Sequence, residues 1–468
     1  MNTRNQTATE AAGTFVPGRP ILIRQAHIIS MDDAIGDLIG DVLVKDGKIV
    51  EVAPSIEAPH AAVIDGQHKV LIPGFVNTHL HLWQTVMKGC AGDWTFNDYL
   101  QHALGAAGRQ FTPHDVYLST FIGALEQMEA GVTTVFDWAH ILNTPDHTDR
   151  AIDGLQDSGI RAVFGHGTPG DDVGKWYYQS TTPHLDDVVR VRKHRLTSDD
   201  DLVTLGLSMR GPDFATPEVT RADIELARSL GIMSSMHVAV GMYGAAYVPH
   251  IRALGKAGLL GPDINLTHGN RLADDEIAMA VDAGVSITVT PEVEMQMGHG
   301  LPITGRVRAA GGNVVLGTDV VSSVSADMFS QMRFAVQLER ALANSRLHQE
   351  GQMPERFTVH ARDILRSATI HGARALGLAN RTGSVTPGKE ADLTLLGWDH
   401  AHFQPRLDPV QAVVFHGSVA NVHTVMVKGQ LQKYRYQSLK RPVQALRDAE
   451  KAGARILQAL ALPQTAAL

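Results

Sequence analysis

The 468-residue sequence contains a single cysteine, Cys90. That excludes a disulfide framework and every Cys-cluster zinc or iron–sulfur site. No stretch reaches the roughly 18 apolar residues of a membrane span. The longest candidate, Val413 to Val427, is broken by His416, Asn421 and His423. Basic residues are not in excess: 41 Lys and Arg face 49 Asp and Glu, a net charge of −8. Charge therefore points to no nucleic acid and no anionic membrane as partner. Met1 to Arg19 lack an apolar core and read as a flexible tail, not a signal peptide, so a cytoplasmic protein is expected.

At 44% apolar and 19% charged residues, the chain can bury a large core. Short strands are predicted at Ile21–Ile28, Asp41–Val44 and Ile49–Val52, with a Lys45-Asp46-Gly47-Lys48 turn between the last two. Similar runs return at Ala391–Leu396, Val410–Val414 and Val422–Val427, so the chain ends are expected to pair into a small β-sandwich. Between them lie eight candidate strands: Val70–Val76, Val132–Asp137, Arg161–Phe164, Leu202–Met209, Ile232–His237, Ile264–His268, Val285–Thr290 and Asn313–Asp319. Helix starts follow several of them, as at Thr112-Pro113, Thr216-Pro217 and Asp274-Asp275-Glu276. Eight strands with interleaved helices is the count of an α/β fold of the (β/α)8, or TIM-barrel, type. The expected organisation is a tail at 1–19, sandwich parts at 20–72 and 379–432, a barrel at 73–378 and a helical extension at 433–468.

The sequence is rich in histidine, with 23 residues. His79 and His81 end the first barrel strand, and an i, i+2 pair points to one side of a strand. His237 ends the fifth strand, His268 the sixth and Asp319 the eighth. Barrel sites gather at these C-terminal strand ends. Imidazole and carboxylate donors suit Zn, Fe, Co or Mn, and zinc is the first expectation for one divalent ion. Such an ion brings the pKa of its water down to about 7. Asp319 would then move the water proton to the leaving group, and His268 would bind the ion or polarise a carbonyl.

These segments resemble the amidohydrolase superfamily. Pro73-Gly74-Phe75-Val76-Asn77-Thr78-His79-Leu80-His81 is similar to its first-strand motif, and Leu316-Gly317-Thr318-Asp319 to its eighth. Gly383 to Leu393 resembles the return into its flanking β domain. The resemblance runs from about Ile21 to Gly429 and is nearest the branch of cytosine deaminases and triazine hydrolases. It implies His79, His81, His237 and Asp319 as metal ligands, with His268 as a further ligand or polarising group. Met209-Arg210 stands where binuclear members carry a lysine, which implies one metal.

One departure carries information. Deaminases of this branch have His-x-x-Glu on the fifth strand, the Glu protonating a ring nitrogen. Here the run is His237-Val238-Ala239-Val240, and Val240 cannot supply a proton. A urea, thiocarbamate or amide carbonyl needs less help, so hydrolysis of such a bond in a small apolar molecule is the leading expectation. In this character the chain is similar to phenylurea and thiocarbamate (molinate) hydrolases. The alternative is a deaminase or dechlorinase of an aminated triazine, purine or pyrimidine. Trp83, Trp94, Trp138, His166, Tyr243, Glu292 and Met297 are candidates to contact the substrate. Glu292 or Glu294 could replace the missing acid. The resemblance also implies a homodimer or larger homo-oligomer.

Overall fold

The structure is a computed structural model that describes residues 13, 15–16, 18–240 and 247–460. The chain divides into two compact units. One takes the residues up to Asn77, Glu126–Thr134 and Asp327–Arg441; the other takes Thr78–Leu125, Val135–Ala326 and the chain from Pro442.

In the first unit the chain ends do pair, and they do so in one mixed sheet. Its strands are β1 (Ile21–Ile29), β2 (Asp37–Lys45), β3 (Lys48–Ala53), β4 (Ala62–Asp65) and β5 (Lys69–Pro73) from the N-terminal part. The C-terminal part adds, as numbered here after the eight barrel strands, β14 (Leu393–Gly397), β15 (Val422–Val427), β16 (Gln430–Tyr434) and β17 (Gln437–Ser438). The spatial order is β17-β16-β15-β14-β5-β1-β2-β3, with β4 also on β1. In β1 the inward residues are Ile21 and Ile23, then Ala26 and Ile28. The one-residue slip in this alternation is a bulge between Ile23 and Ala26, where Gln25 takes φ 56° and donates its N–H to Asp41 Oδ1. The inward side chains meet those of Leu71, Leu393, Leu395 and Met426 in a continuous apolar core.

The barrel strands are β6 (Phe75–Leu80), β7 (Val132–Ala139), β8 (Arg161–His166), β9 (Val203–Met209), β10 (Ser234–Val238), β11 (Ile264–His268), β12 (Ser286–Val289) and β13 (Asn313–Leu316). They form an eight-stranded sheet in chain order. Leu80 and Asp319 bridge in parallel and bring its two edges together. Most residues of these strands are buried, as expected where both faces of a parallel sheet are covered.

Two expectations are corrected. The predicted first strand, Val70–Val76, is two strands: Pro73 ends β5 and Phe75 begins β6, with the Gly74 N–H turned to Asp392 O. Val410–Val414 is helical. Asp408 caps that turn by accepting from the Gln411 N–H, and Pro409 occupies the first helical position. The long connection from His81 to Phe111 is built of short helical turns, including Leu82–Met87 and Phe96–Tyr99. Against the first of these packs the C-terminal helix Val443–Ala459, where a Cβ on Gly453 would stand 2.3 Å from Val86 O. Among the described residues, no helix is long and apolar enough to cross a membrane.

Arg210, at the end of β9, is buried and bound 3.2 Å from the Asp223 carboxylate and 2.8 Å from Ser180 Oγ. Removing one member of a buried pair strands the other charge. Asp223→Ala is expected to cost about 3–5 kcal/mol, seen as a lower thermal midpoint. Asp223→Leu combined with Arg210→Met is expected to recover most of that loss.

Candidate metal centre

Each candidate donor is presented by the end of a barrel strand. His79 lies on β6 and His81 immediately follows it; His237 is on β10, His268 ends β11, and Asp319 lies three residues past β13. The last approach depends on glycine. A Cβ on Gly317 would sit 2.7 Å from His79 O and 2.8 Å from His79 Cβ. Two backbone hydrogen bonds then clasp the strand ends: Asp319 N–H to His79 O at 2.9 Å, and His81 N–H to Asp319 O at 3.1 Å. His268 and Asp319 carry φ of 73° and 62°. Non-glycine residues in this region store strain, and such residues gather at functional sites.

The donor atoms converge. Asp319 Oδ1 stands 3.2 Å from His79 Nε2 and 3.1 Å from His81 Nε2, and Oδ2 stands 3.7 Å from His268 Nε2. His237 Nε2 is 3.3 Å from His79 Nε2. Ligand atoms of His79, His81 and His237 lie within 4.8 Å of one another, as do those of His79, His268 and Asp319. The structure therefore brings all five predicted donors to one place.

Outer contacts aim the rings. His81 Nδ1 is 3.0 Å from Trp138 O, a carbonyl that can only accept, so Nδ1 holds the proton and Nε2 keeps its lone pair inward. His268 Nδ1 stands 3.1 Å from Thr290 Oγ1 and 3.3 Å from Glu294 Oε1. The Trp138 ring centroid is 3.9 Å from that of His237. Burial brings His79 and His268 down to about 4, and it holds His237 well below the usual histidine range. Burial opposes ionisation of Asp319, yet hydrogen bonding and charge from His79, with His81 and His268 adding to them, hold its carboxyl well below the usual range. Neutral imidazoles around an ionised carboxylate are the protonation states a divalent cation requires. The donor set fits such an ion.

Beside the donors lies a pocket. Its walls include Phe96, Tyr99, Leu100, Leu104, Tyr177, Phe214, Val240 and Met297, with His140 and His299. Of the candidate substrate contacts, Met297 is in this wall. Trp138 packs behind the donors, and Trp83 is buried against Phe111 and His140. Trp94 lies against His102. His166 does not line the pocket: it is buried with His184 Nε2 at 2.9 Å and Asp187 Oδ2 at 3.3 Å, both supplied by the long connection after β8. Glu292 points elsewhere and accepts from Ser325 Oγ. Glu294 is not in the wall either; it supports His268, and burial pushes its carboxyl up to about 7. Tyr243 falls outside the described residues. Sequence reasoning missed His299 and Tyr177, which reach the wall from the connections after β12 and β8.

A family model for the amidohydrolase family matches residues 70–431. The chain belongs to the amidohydrolase family. It is 30% identical over 419 residues to a 5'-deoxyadenosine deaminase of Methanothermobacter thermautotrophicus, covering 88% of this chain and 92% of that one. It is 29% identical to a 5-methylthioadenosine/S-adenosylhomocysteine deaminase of Symbiobacterium thermophilum over 84% of this chain and 88% of that one. Among solved structures, a zinc-bound adenosine deaminase from Xanthomonas campestris superposes with a TM-score of 0.79 at 22% identity, covering 95% of this chain and all of that one. Atrazine chlorohydrolase from Arthrobacter aurescens TC1, complexed with zinc, gives 0.77 at 23%, with 94% of this chain and all of that one covered. As an amidohydrolase with deaminase relatives, this protein is a hydrolytic enzyme acting on carbon–nitrogen bonds.

Loss of an outer-shell partner typically weakens metal affinity 10- to 100-fold. Glu294→Ala is expected to fall in about that range, measured by chelator competition. His237→Ala is expected to lose stoichiometric metal in elemental analysis.

Proposed function

We propose that this amidohydrolase uses one divalent ion, zinc by preference, to displace a nitrogen leaving group from a trigonal carbon of a small, neutral, largely apolar molecule. The observation that carries this reading is the convergence of His79, His81, His237, His268 and Asp319 beside a pocket walled mainly by apolar and aromatic side chains. When bound, the ion supplies an activated water near neutral pH and draws electron density from the group under attack. Asp319, ionised and facing the donors, accepts the proton of the attacking water at a carboxylate oxygen and returns it to the leaving nitrogen. His268, aimed by Glu294 and Thr290, holds the reacting group against the donors. The apolar wall keeps bulk water away from the reacting carbon.

The relatives shift the weight between two substrate classes. Their names favour loss of an amino group from an aminated heteroaromatic ring, and this reading now stands ahead of the one drawn from the fifth strand alone. A specific observation keeps the second reading: Val240 lines the pocket and offers no proton to a ring nitrogen. It favours a urea, thiocarbamate or amide, whose leaving amine takes its proton from Asp319.

Metal-loaded protein should be assayed for ammonia or chloride from purines, pyrimidines and triazines, and for amine or thiol from phenylureas, thiocarbamates and anilides. Ammonia release supports the first reading and amine release the second, whereas chloride release without ammonia would count against a nitrogen leaving group. In either case chelation should abolish turnover and zinc restore it. Activity that survives complete metal removal, or no turnover of any compound, would count against the proposal.

A further inference from the structure

One hydroxyl of the pocket wall, that of Tyr177, is committed to a partner. Tyr177 Oη stands 2.6 Å from Thr168 Oγ1. Tyr99 is placed differently. Thr95 caps the turn Phe96–Tyr99 by accepting from the Asp98 N–H, and this sets Tyr99 into the wall with the Phe96 ring stacked beside it. Tyr99 Oη accepts a 2.7 Å hydrogen bond from Gln84 Nε2. Gln84 Oε1 in turn accepts a 2.6 Å bond from Ser322 Oγ. Gln84 lies in the turn just after His81, and Ser322 lies three residues past Asp319. The chain of donors therefore runs one way, from Ser322 through Gln84 to Tyr99.

A tyrosine hydroxyl has a single proton to donate. Gln84 meets Tyr99 as a donor, so that proton is not used between them. Among the described residues, Tyr99 Oη makes no second hydrogen bond. Its side chain shares the pocket with Asp319, His268 and Val240. Burial, with the Asp319 charge adding to it, raises the phenol well above its ordinary range, so it remains protonated.

We propose that Tyr99 donates a hydrogen bond to the acceptor nitrogen of the bound substrate, either the leaving nitrogen or a ring nitrogen, and that Gln84, anchored by Ser322, is the positioning residue that aims it. This rests on the hydrolase reading above and supplies a donor to a pocket in which Val240 offers none. A buried donor left without its acceptor is penalised, so the pocket discriminates against isosteres lacking that nitrogen.

The test compares metal-loaded wild type, Tyr99→Phe and Gln84→Met, with thermal midpoint and metal content measured alongside. On a series of substituted anilides or phenylureas, or on aminated heteroaromatics with leaving groups of graded basicity, Tyr99→Phe is expected to lower kcat by about 10- to 100-fold with KM within about threefold. It is also expected to steepen the dependence of kcat on leaving-group basicity, which a packing defect would not do. Gln84→Met should show the same signature at smaller size, and it carries the test if Tyr99→Phe does not fold. Binding provides a readout independent of turnover. Wild type should bind 2-aminopyrimidine more tightly than the isosteric aniline by calorimetry, and Tyr99→Phe should erase the difference. A Tyr99→Phe enzyme with wild-type slope and wild-type discrimination overturns the assignment. Wild type that turns over nothing, yet shows discrimination that Tyr99→Phe erases, upholds Tyr99 and overturns the hydrolase reading. Wild type that neither turns over nor discriminates overturns both.

Discussion

Two backbone hydrogen bonds, from Asp319 N–H to His79 O and from His81 N–H to Asp319 O, hold the ends of the first and eighth barrel strands together. The rest of the centre depends on this clasp. It sets one carboxylate oxygen within 3.2 Å of two imidazole nitrogens supplied by the end of β6, distant in sequence from Asp319. It is possible because Gly317 carries no side chain where His79 backbone passes. It also holds Asp319 in a left-handed conformation that a free chain would avoid. Burial then keeps His79, His237 and His268 neutral, while hydrogen bonds from His79 and His81 help to hold Asp319 ionised.

Around this polar floor the walls are mainly apolar and aromatic, and the supporting polar atoms are arranged in tiers. Trp138 O and Glu294 orient rings from behind, and Thr290 ties Glu294 in place through its own N–H. Gln84 and Ser322 extend the same logic to Tyr99 in the pocket wall. Preorganisation of this kind lets hydrogen-bonding groups act without first being reoriented during the reaction. The medium they act in excludes water, which strengthens each of them.

Strand ends were legible because two rules operate locally. β-branched apolar runs mark buried parallel strands, and a polar residue at the C-terminal end of such a run stands where barrel sites form. His79, His81, His237, His268 and Asp319 could be singled out in this way. Wall residues were legible only in part, as at Met297. His166 has the same strand-end position as His237, yet the connection after β8 folds His184 and Asp187 over it and removes it from the pocket. Glu292 and Glu294 are neighbours in sequence, but one turn of helix sends the first to Ser325 and the second to His268. Val410–Val414 carries strand-like residues but follows an Asp-Pro cap that starts a helical turn. In each case a contact from elsewhere in the chain, or a local cap, outweighed the pattern.

The sequence by itself determined the fold class and the exclusion of thiolate chemistry, and it marked five candidate donors at strand ends. These follow from residue type and period, which are properties of short stretches of chain. Tertiary structure alone decided which side chains wall the pocket and which support the donors from behind. It also set the direction in which the hydrogen-bond chain reaches Tyr99. Those outcomes depend on loops between strands, whose paths are set by packing against residues far away in sequence.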